Sequence, residues 1–157
     1  MMDLCAVVIP IYKDRLSSFE EKSLKQCVKI LSKYQFIFVS PHGLDMREIN
    51  TIMMDKKYII EFFNNEFFVG VEGYNRLMMT KDFYRRFYKR FEYILIYQLD
   101  CFVFCDQLTD WCHRGYDYVG APWFINFEEH KSQNDLWICG NGGFSLRKVS
   151  YFLKVLS

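Results

Sequence analysis

The sequence predicts an α/β fold, with a mostly parallel mixed sheet flanked by helices. Short segments rich in Val, Ile, Phe and Tyr alternate with segments whose apolar residues recur at helical spacing. This alternation is typical of β-α-β units, in which helices connect parallel strands. The chain has 157 residues, which is the size of one domain. We therefore treat residues 1–157 as a single domain.

The first half of the chain contains three predicted strands. Residues 6–12 form a continuous apolar run, as expected for a strand that is buried on both faces. Ser17 or Ser18 can cap the helix that follows, with Glu20 and Glu21 in its first turn. The other predicted elements of this half are a strand at 35–40, a short helix at 46–54 and a strand at 57–63.

The second half contains the strongest strand signal of the chain, the apolar run at residues 93–104. A helical pattern precedes this run and is interrupted near Thr80. Gly115 is placed to end a short helix that follows the run. The remaining predicted elements are a strand ending at Pro122, a loop at 124–134, a strand at 136–148 containing a glycine turn, and a helix from 149.

The composition excludes some classes of function. Apolar residues make up 51% of the chain, enough for a sizeable core, and the net charge of +1 gives no reason to expect a nucleic-acid partner. One basic cluster indicates either a solvated helix face or a peripheral contact with anionic lipid or an acidic acceptor. The cluster consists of Lys81, Arg85, Arg86, Lys89 and Arg90.

The N-terminus and the cysteines favour the cytoplasm as the location. The N-terminal segment has no positively charged region typical of a signal peptide, and no apolar run reaches the length of a membrane-spanning helix. We therefore expect the six cysteines to be reduced thiols. The alternative is a zinc site formed by Cys101, Cys105, Cys112 and His113, but no CxxC pair is present.

In open α/β sheets, ligands bind at the carboxyl ends of the strands, so polar groups at these ends are candidates for a site. Pro10, Ile11 and Tyr12 lie at the end of the first strand. They offer free backbone groups and an aromatic ring on which a nucleotide base can stack. The alternative is a strand that simply ends in a polar turn.

Asp100 is the strongest candidate for a metal ligand. Together with Gln98 it interrupts an apolar run. A carboxylate in such surroundings is costly unless it is paired with an opposite charge or binds a cation. Mg²⁺ and Mn²⁺ bind carboxylates together with substrate phosphates, and such a cation neutralises a departing pyrophosphate. The alternative is an aspartate that accepts backbone N–H groups in a turn.

The segment at residues 140–145 is a third candidate. Its glycines, next to Asn141, permit positive φ angles and a close approach of the backbone to a ligand. Gly142 and Gly143 do not belong to a dinucleotide-binding GxGxxG fingerprint or to a P-loop. The alternative is an ordinary turn between two apolar segments.

Two further candidates come from local context. Tyr74, Asn75 and Arg76 are predicted to start a helix, whose N-terminus favours phosphate. The alternative there is a solvated helix start. Trp123 follows the strand that ends at Pro122 and could stack on a sugar ring, although a position in the core explains it equally well.

Five segments, taken in order, resemble a family of bacterial glycosyltransferase-like proteins of lipopolysaccharide and capsule biosynthesis. The segments are VVIPIYK, GYNRLMM, YILIYQLDCFVF, GYDYVGAPW and GNGGFSLRK. More distantly, their order is similar to the glycosyltransferase A fold, in which a DxD motif follows a central strand and precedes a short one. The corresponding motif here reads QLD and carries a single acid.

The resemblance implies specific roles for these residues. Asp100 would ligate the metal, and Gln98 would face the donor ribose or a metal-bound water. Pro10–Tyr12 would hold the nucleotide base, and Asn141–Gly143 would lie beside the acceptor and the donor sugar. Because similar proteins continue beyond the position of Ser157, the resemblance implies a chain without its C-terminal part, with its catalytic base beyond Ser157. An uncovered sheet face would then favour homo-oligomers.

The sequence thus predicts a cytoplasmic glycosyltransferase with a peripheral contact to the inner face of the membrane. It would move a sugar from a nucleotide-diphosphate donor to a glycan or lipid-linked acceptor of cell-surface polysaccharide synthesis. One alternative is a non-catalytic protein that binds nucleotide sugars. The other is a nucleotidyltransferase, although no glycine-rich, lysine-bearing loop follows the first strand.

Overall fold

A computed structural model describes residues 2–122 and 139–156 of the chain. Six strands form one sheet in these residues, and each of them overlaps a segment that the sequence predicts as a strand. The strands are β1 (Asp3–Pro10), β2 (Gln35–Pro41), β3 (Tyr58–Phe63), β4 (Phe91–Tyr97), β5 (Tyr118–Pro122) and β6 (Cys139–Lys148).

Helices connect most of these strands. They are α1 (Ser18–Ile30), α2 (Arg47–Met53), α3 (Gly70–Met78), α4 (Lys81–Arg85), α5 (Leu108–His113) and α6 (Val149–Val155), with a 3-10 turn at Asn65–Phe68. Ser17 caps α1: its hydroxyl accepts from the Glu20 amide, and the Glu20 carboxylate accepts from the Ser17 amide. Thr80 caps α4, which confirms the predicted interruption there.

The sheet is mixed, as predicted, and its strand order is β3-β2-β1-β4-β6-β5. The first four strands in this order are parallel, whereas β6 is antiparallel to both of its neighbours. The carboxyl ends of β1 and β4 therefore meet at one edge of the sheet, and the N-terminal half of β6 reaches the same edge. A site formed by segments distant in the sequence becomes feasible at this edge.

Both faces of the sheet are covered, which explains why its central strands are apolar throughout. Val7 and Ile9 pack with α1, α2 and α5 on one face. Ala6 and Val8, which alternate with them along β1, pack with α3, α4 and α6 on the other face. Strands buried on both faces read as continuous apolar runs, because successive side chains point to opposite sides.

The basic cluster lies on and after α4 and is partly neutralised. Arg90 and Arg86 form ion pairs with Glu61 at 2.6 and 3.5 Å, and Arg86 also contacts Asp82 at 3.9 Å. This supports a structural role for part of the cluster and does not test the predicted membrane contact. No helix among residues 2–122 and 139–156 has the length and apolar character required to cross a membrane.

Candidate ligand-binding cleft

A cleft of about 680 Å³ opens at the carboxyl ends of β1 and β4. This volume lies within the range of ligand-binding pockets in proteins, roughly 300–1,000 Å³. Of the donor-binding residues predicted from the sequence, all except Arg76 border this cleft. They are Pro10, Ile11, Tyr12, Tyr74, Asn75, Gln98, Asp100, Asn141, Gly142 and Gly143.

The end of β1 exposes an aromatic ring at the mouth of the cleft. Ile11 is buried and its amide donates to the Val39 carbonyl at 2.9 Å, which fixes the backbone as it leaves the sheet. The next residue, Tyr12, is 58% exposed. A large exposed ring on a fixed backbone provides a surface on which a planar group can stack.

The opposite charges of Lys13 and Glu20 offset each other at this end of the cleft. Their ion pair measures 2.7 Å. Burial acts to raise the pKa of Glu20, but hydrogen bonds from Lys13 and Ser17 outweigh it and hold the pKa below its usual value. The Lys13 ammonium is correspondingly held by Glu20, which raises its pKa. Glu20 is therefore a carboxylate committed to the ion pair and the helix cap.

Asp100 presents an exposed carboxylate where the chain leaves β4. The Gln98 amide donates to the Gly143 carbonyl at 2.8 Å, and the Cys101 amide donates to the Gln98 carbonyl at 3.0 Å, so a tight turn carries Asp100. Within the described residues, no backbone amide donates to its carboxylate. Its one hydrogen bond there is from the Cys101 thiol at 3.6 Å. The alternative of a turn aspartate that accepts backbone N–H groups is not seen.

The predicted strand through residues 93–104 is wrong in its second part. β4 ends at Tyr97, and residues 102–104 form no strand. Val103 is buried, whereas Phe104 is 80% exposed. These side chains alternate as in a strand, but the turn at Gln98–Cys101 leads the backbone away from the sheet.

A buried hydroxyl pair fixes the segment after Asp100. The Ser23 and Tyr97 hydroxyls are 2.9 Å apart, and both donate to the Cys101 carbonyl, at 2.5 and 3.1 Å. Burial raises the pKa of Tyr97 to about 12, which keeps its hydroxyl protonated as a donor. The turn that bears Asp100 is thus attached to α1 and held in a defined position.

The glycine segment is part of β6, so the predicted turn is wrong. Gly120 of β5 pairs with Ser145, but the next residue, Ala121, pairs with Asn141, which leaves an irregularity in the strand pairing. The described glycines with positive φ are Gly43, Gly70 and Gly115, none of which belongs to this segment. Positive φ is therefore not the reason for its glycines.

Gly143 lies against the side chain of Gln98. A Cβ atom at this position would lie 2.5 Å from the Gln98 side-chain oxygen, so the end of that flexible side chain would have to shift. The Gly143 amide donates to the Asn141 side-chain oxygen at 2.9 Å. The glycine segment and Gln98 therefore form one continuous wall of the cleft.

The predicted helix start at Tyr74 is wrong, because α3 begins at Gly70. Gly73 resembles a helix boundary in the sequence, but it lies inside the helix. A Cβ atom there would lie 2.7 Å from the Glu66 carbonyl oxygen, so glycine allows α3 to pack on the 3-10 turn. The phosphate-binding argument from a helix N-terminus does not apply. Arg76 lies in the last turn of α3 and does not line the cleft.

Tyr74 borders the cleft with an unusual hydroxyl. The hydroxyl is buried and has no hydrogen-bond partner within the described residues. Burial raises the pKa of Tyr74 to about 12, although the positive charge of Arg147 acts to lower it. Buried polar groups normally have partners, so this hydroxyl is available to a ligand or to a water molecule. Trp123, the predicted sugar contact, lies outside the described residues.

Sequence reasoning missed part of the cleft wall. Phe67 and Phe68 of the 3-10 turn and Val71 of α3 line the cleft, as does Leu16 before α1. The sequence gives a signal only for Phe67 and Phe68, an apolar pair that follows Asn64, Asn65 and Glu66. The tertiary contact between the 3-10 turn and α3 brings them to the site, and local patterns do not report it.

The described cysteines differ in their accessibility. Of the five cysteines whose side chains are described, all are free, Cys105 is exposed, and Cys5, Cys27 and Cys112 are buried. Burial raises the pKa of Cys27 and of Cys101 to about 12. Within the described residues, no group of three or more His, Cys, Asp or Glu side chains is placed to hold a metal ion.

We expect native alkylation to distinguish these thiols. At pH 8, a thiol with a pKa near 12 is a thiolate in only about 1 molecule in 10,000, and the thiolate is the reactive form. Iodoacetamide should therefore modify Cys105 well before Cys27 or Cys101, as followed by peptide mass spectrometry. In unfolded protein the three thiols should be labelled at similar rates. Equal labelling of Cys101 and Cys105 in the native state would contradict the prediction.

A family model described as "Protein of unknown function (DUF5672)" matches residues 57–157. This range includes β4 with Asp100, the α3 residues of the cleft and the glycine segment. The end of β1, with Tyr12, precedes it. No curated protein matches the chain.

Proposed function

The chain belongs to the DUF5672 family of proteins of unknown function, and we propose that it is a glycosyltransferase that uses a nucleotide-sugar donor. The acceptor would be a glycan or a lipid-linked sugar. One observation carries the proposal: an exposed aromatic ring, an exposed carboxylate and a glycine wall border one cleft at the carboxyl end of the sheet.

In this proposal the donor lies along the cleft from Tyr12 to Gly143. The base stacks on Tyr12, whose ring is exposed. Asp100 is a single carboxylate, which fits Mg²⁺ or Mn²⁺ because these ions take one or two carboxylates and complete their shell with phosphate oxygens and water. Such a cation, when bound, would neutralise charge on the departing diphosphate.

Transfer breaks the bond between the anomeric carbon and a diphosphate oxygen, and the diphosphate leaves with the electron pair. The acceptor oxygen forms the new bond to this carbon and transfers its proton to water. The described cleft carboxylates are committed elsewhere, because Glu20 is held by Lys13 and Asp100 would hold the cation. The residues of this chain therefore bind and orient the donor, and Asn141–Gly143 and Gln98 form the wall against which the sugar lies.

The same proposal includes a fold of the glycosyltransferase A type. It is supported by an acid that follows the central strand β4 and by a glycine-bearing strand that pairs with β4. It departs from the expected pattern because residues 101–104, directly after Asp100, form no strand. The function therefore rests on the cleft rather than on the fold alone.

Calorimetric titration with UDP, GDP and CDP, each with and without Mn²⁺, tests the proposal. We expect one nucleotide to bind, and we expect Mn²⁺ to strengthen its binding. Asp100→Asn should remove the Mn²⁺-dependent gain, which we expect to be about tenfold or more, because the substitution keeps the shape and deletes the charge. Asp110→Asn, on the exposed side of α5, is the matched control and should bind like the wild type.

Two outcomes would contradict the proposal. If none of the nucleotides binds the wild-type chain in the presence of Mn²⁺, the donor site is wrong. If Asp100→Asn and Asp110→Asn respond equally to Mn²⁺, the role of Asp100 is wrong. Release of the free nucleoside diphosphate from a nucleotide sugar, measured on the same protein, then separates transfer from binding without turnover.

A further inference from the structure

Arg147 is a buried cation with neutral partners. Its side chain belongs to a residue that is 6% exposed. It donates to the Ser145 hydroxyl at 3.0 Å, to the Tyr84 hydroxyl at 2.7 Å and to the Gly142 carbonyl at 3.3 Å. No Asp or Glu of the described residues forms an ion pair with it. A buried charge without an opposite charge is costly, so its retention calls for an explanation.

The position of Arg147 suggests an explanation for this buried charge. Its guanidinium lies directly behind the glycine segment: a Cβ atom at Gly142 would lie 3.0 Å from Nη2. Gly142 itself lines the cleft. The positive charge of Arg147 also acts on a residue that lines the cleft. Burial raises the pKa of Tyr74 to about 12, and the charge of Arg147 opposes this rise. The electric field of a buried charge is screened less by the protein interior than by water.

The other described charges of the cleft do not favour a diphosphate. Among residues 2–122 and 139–156, the charged residues that line it are Lys13, Glu20 and Asp100. Lys13 and Glu20 neutralise each other in their 2.7 Å ion pair. Asp100 then leaves the lining with an uncompensated negative charge. A diphosphate in this cleft requires a positive charge from a bound cation, from the protein, or from both.

We infer that Arg147 is the fixed positive charge of the cleft and that it gives diphosphate binding a component that needs no divalent cation. It acts as a positioning residue, through the Gly142 wall and without touching the ligand. This inference rests on the proposed function for the identity of the ligand, but its electrostatic content applies to any anion of the diphosphate class.

The test compares anionic with neutral ligands in EDTA. The probes are inorganic pyrophosphate and the nucleoside diphosphate that binds in the presence of Mn²⁺, with its parent nucleoside as the neutral reference. We expect Arg147→Met to weaken the binding of pyrophosphate and of the nucleoside diphosphate by about tenfold and to leave the affinity for the nucleoside unchanged. Arg147→Lys should keep most of the preference for the charged ligands, because it keeps the charge but not the hydrogen-bond geometry.

The matched control is Arg114→Met, which removes the same charge from an exposed position after α5. It should leave all affinities unchanged. Thermal unfolding of each variant is recorded as well, because a purely structural role would weaken the nucleoside and the diphosphate equally. Equal weakening of all ligands in Arg147→Met would therefore overturn the inference.

The wild-type chain gives a second test that needs no variant. If pyrophosphate does not bind it in EDTA, or if the diphosphate binds no better than its nucleoside, the cation-independent component does not exist. These results differ from those expected if the proposed function is wrong. If the proposed function is wrong, no nucleoside diphosphate binds even with Mn²⁺. The binding of pyrophosphate to the wild type and to Arg147→Met then decides the role of Arg147.

Discussion

Phe83→Ala is expected to lower the free energy of unfolding by about 3–5 kcal/mol, the usual range for deleting a buried phenyl ring from a core. Phe83 is fully buried on the sheet face that carries α3, α4 and α6. Its ring lies 5.1 Å from those of Tyr84 and Phe87 and 5.7 Å from that of Phe63. Several aromatic contacts are lost together, and a cavity remains that rigid neighbours cannot fill.

The matched control is Phe19→Ala in α1, where the phenyl ring is 79% exposed. We expect this substitution to change the free energy of unfolding by less than about 0.5 kcal/mol. Urea denaturation followed by circular dichroism gives both values. A loss below about 1 kcal/mol for Phe83→Ala would mean that the aromatic cluster rearranges to fill the space, contrary to the close packing described above.

The central strands β1, β2 and β4 were predictable because burial on both faces produces a continuous apolar run. The carboxyl ends of β1 and β4 were predictable for a related reason: Tyr12 and Asp100 are polar interruptions directly after apolar runs. Parallel strands bring such interruptions to one edge. Local composition and elementary topology were therefore sufficient to predict that Tyr12 and Asp100 border the same cleft.

Other features depend on register and contact, which local patterns do not report. The apolar run at 93–104 conceals the end of β4, because Val103 is buried in the same core cluster as the strands although it lies outside the sheet. Gly73 resembles a helix boundary, but the Glu66 carbonyl explains it. Arg147 resembles a surface charge until the sheet register pairs it with Ile94. Directly paired residues point to the same face, so Arg147 enters the core.

The same buried groups predict a loss of stability in alkali. Burial raises the pKa of Tyr74 from 10.0 to about 12, and that of Cys27 from 9.0 to about 12. In both cases the folded state binds the proton more tightly than the unfolded state. Their contribution to stability is complete below the unfolded pKa, near 9 for the thiol and 10 for the phenol. It is then lost as the pH rises towards 12.

We therefore expect the free energy of unfolding to be nearly constant between pH 7 and 8.5 and to fall steeply above pH 9. Each of these two groups steepens the fall by up to about 1.4 kcal/mol per pH unit within its own window. Burial also raises the pKa of Tyr97 and of Cys101, which act in the same direction. Urea denaturation at intervals from pH 7 to 11.5 measures the curve.

Tyr74→Phe isolates one contribution. The Tyr74 hydroxyl is buried without a hydrogen-bond partner in the described residues. Its removal should therefore raise the free energy of unfolding at pH 7 by about 1 kcal/mol. Above pH 10 the variant should lose stability less steeply than the wild type, because the unfolded state no longer gains from ionising this phenol. Parallel curves in that range would show that Tyr74 ionises equally well in both states, and that its hydroxyl reaches solvent or a charged partner in the cleft.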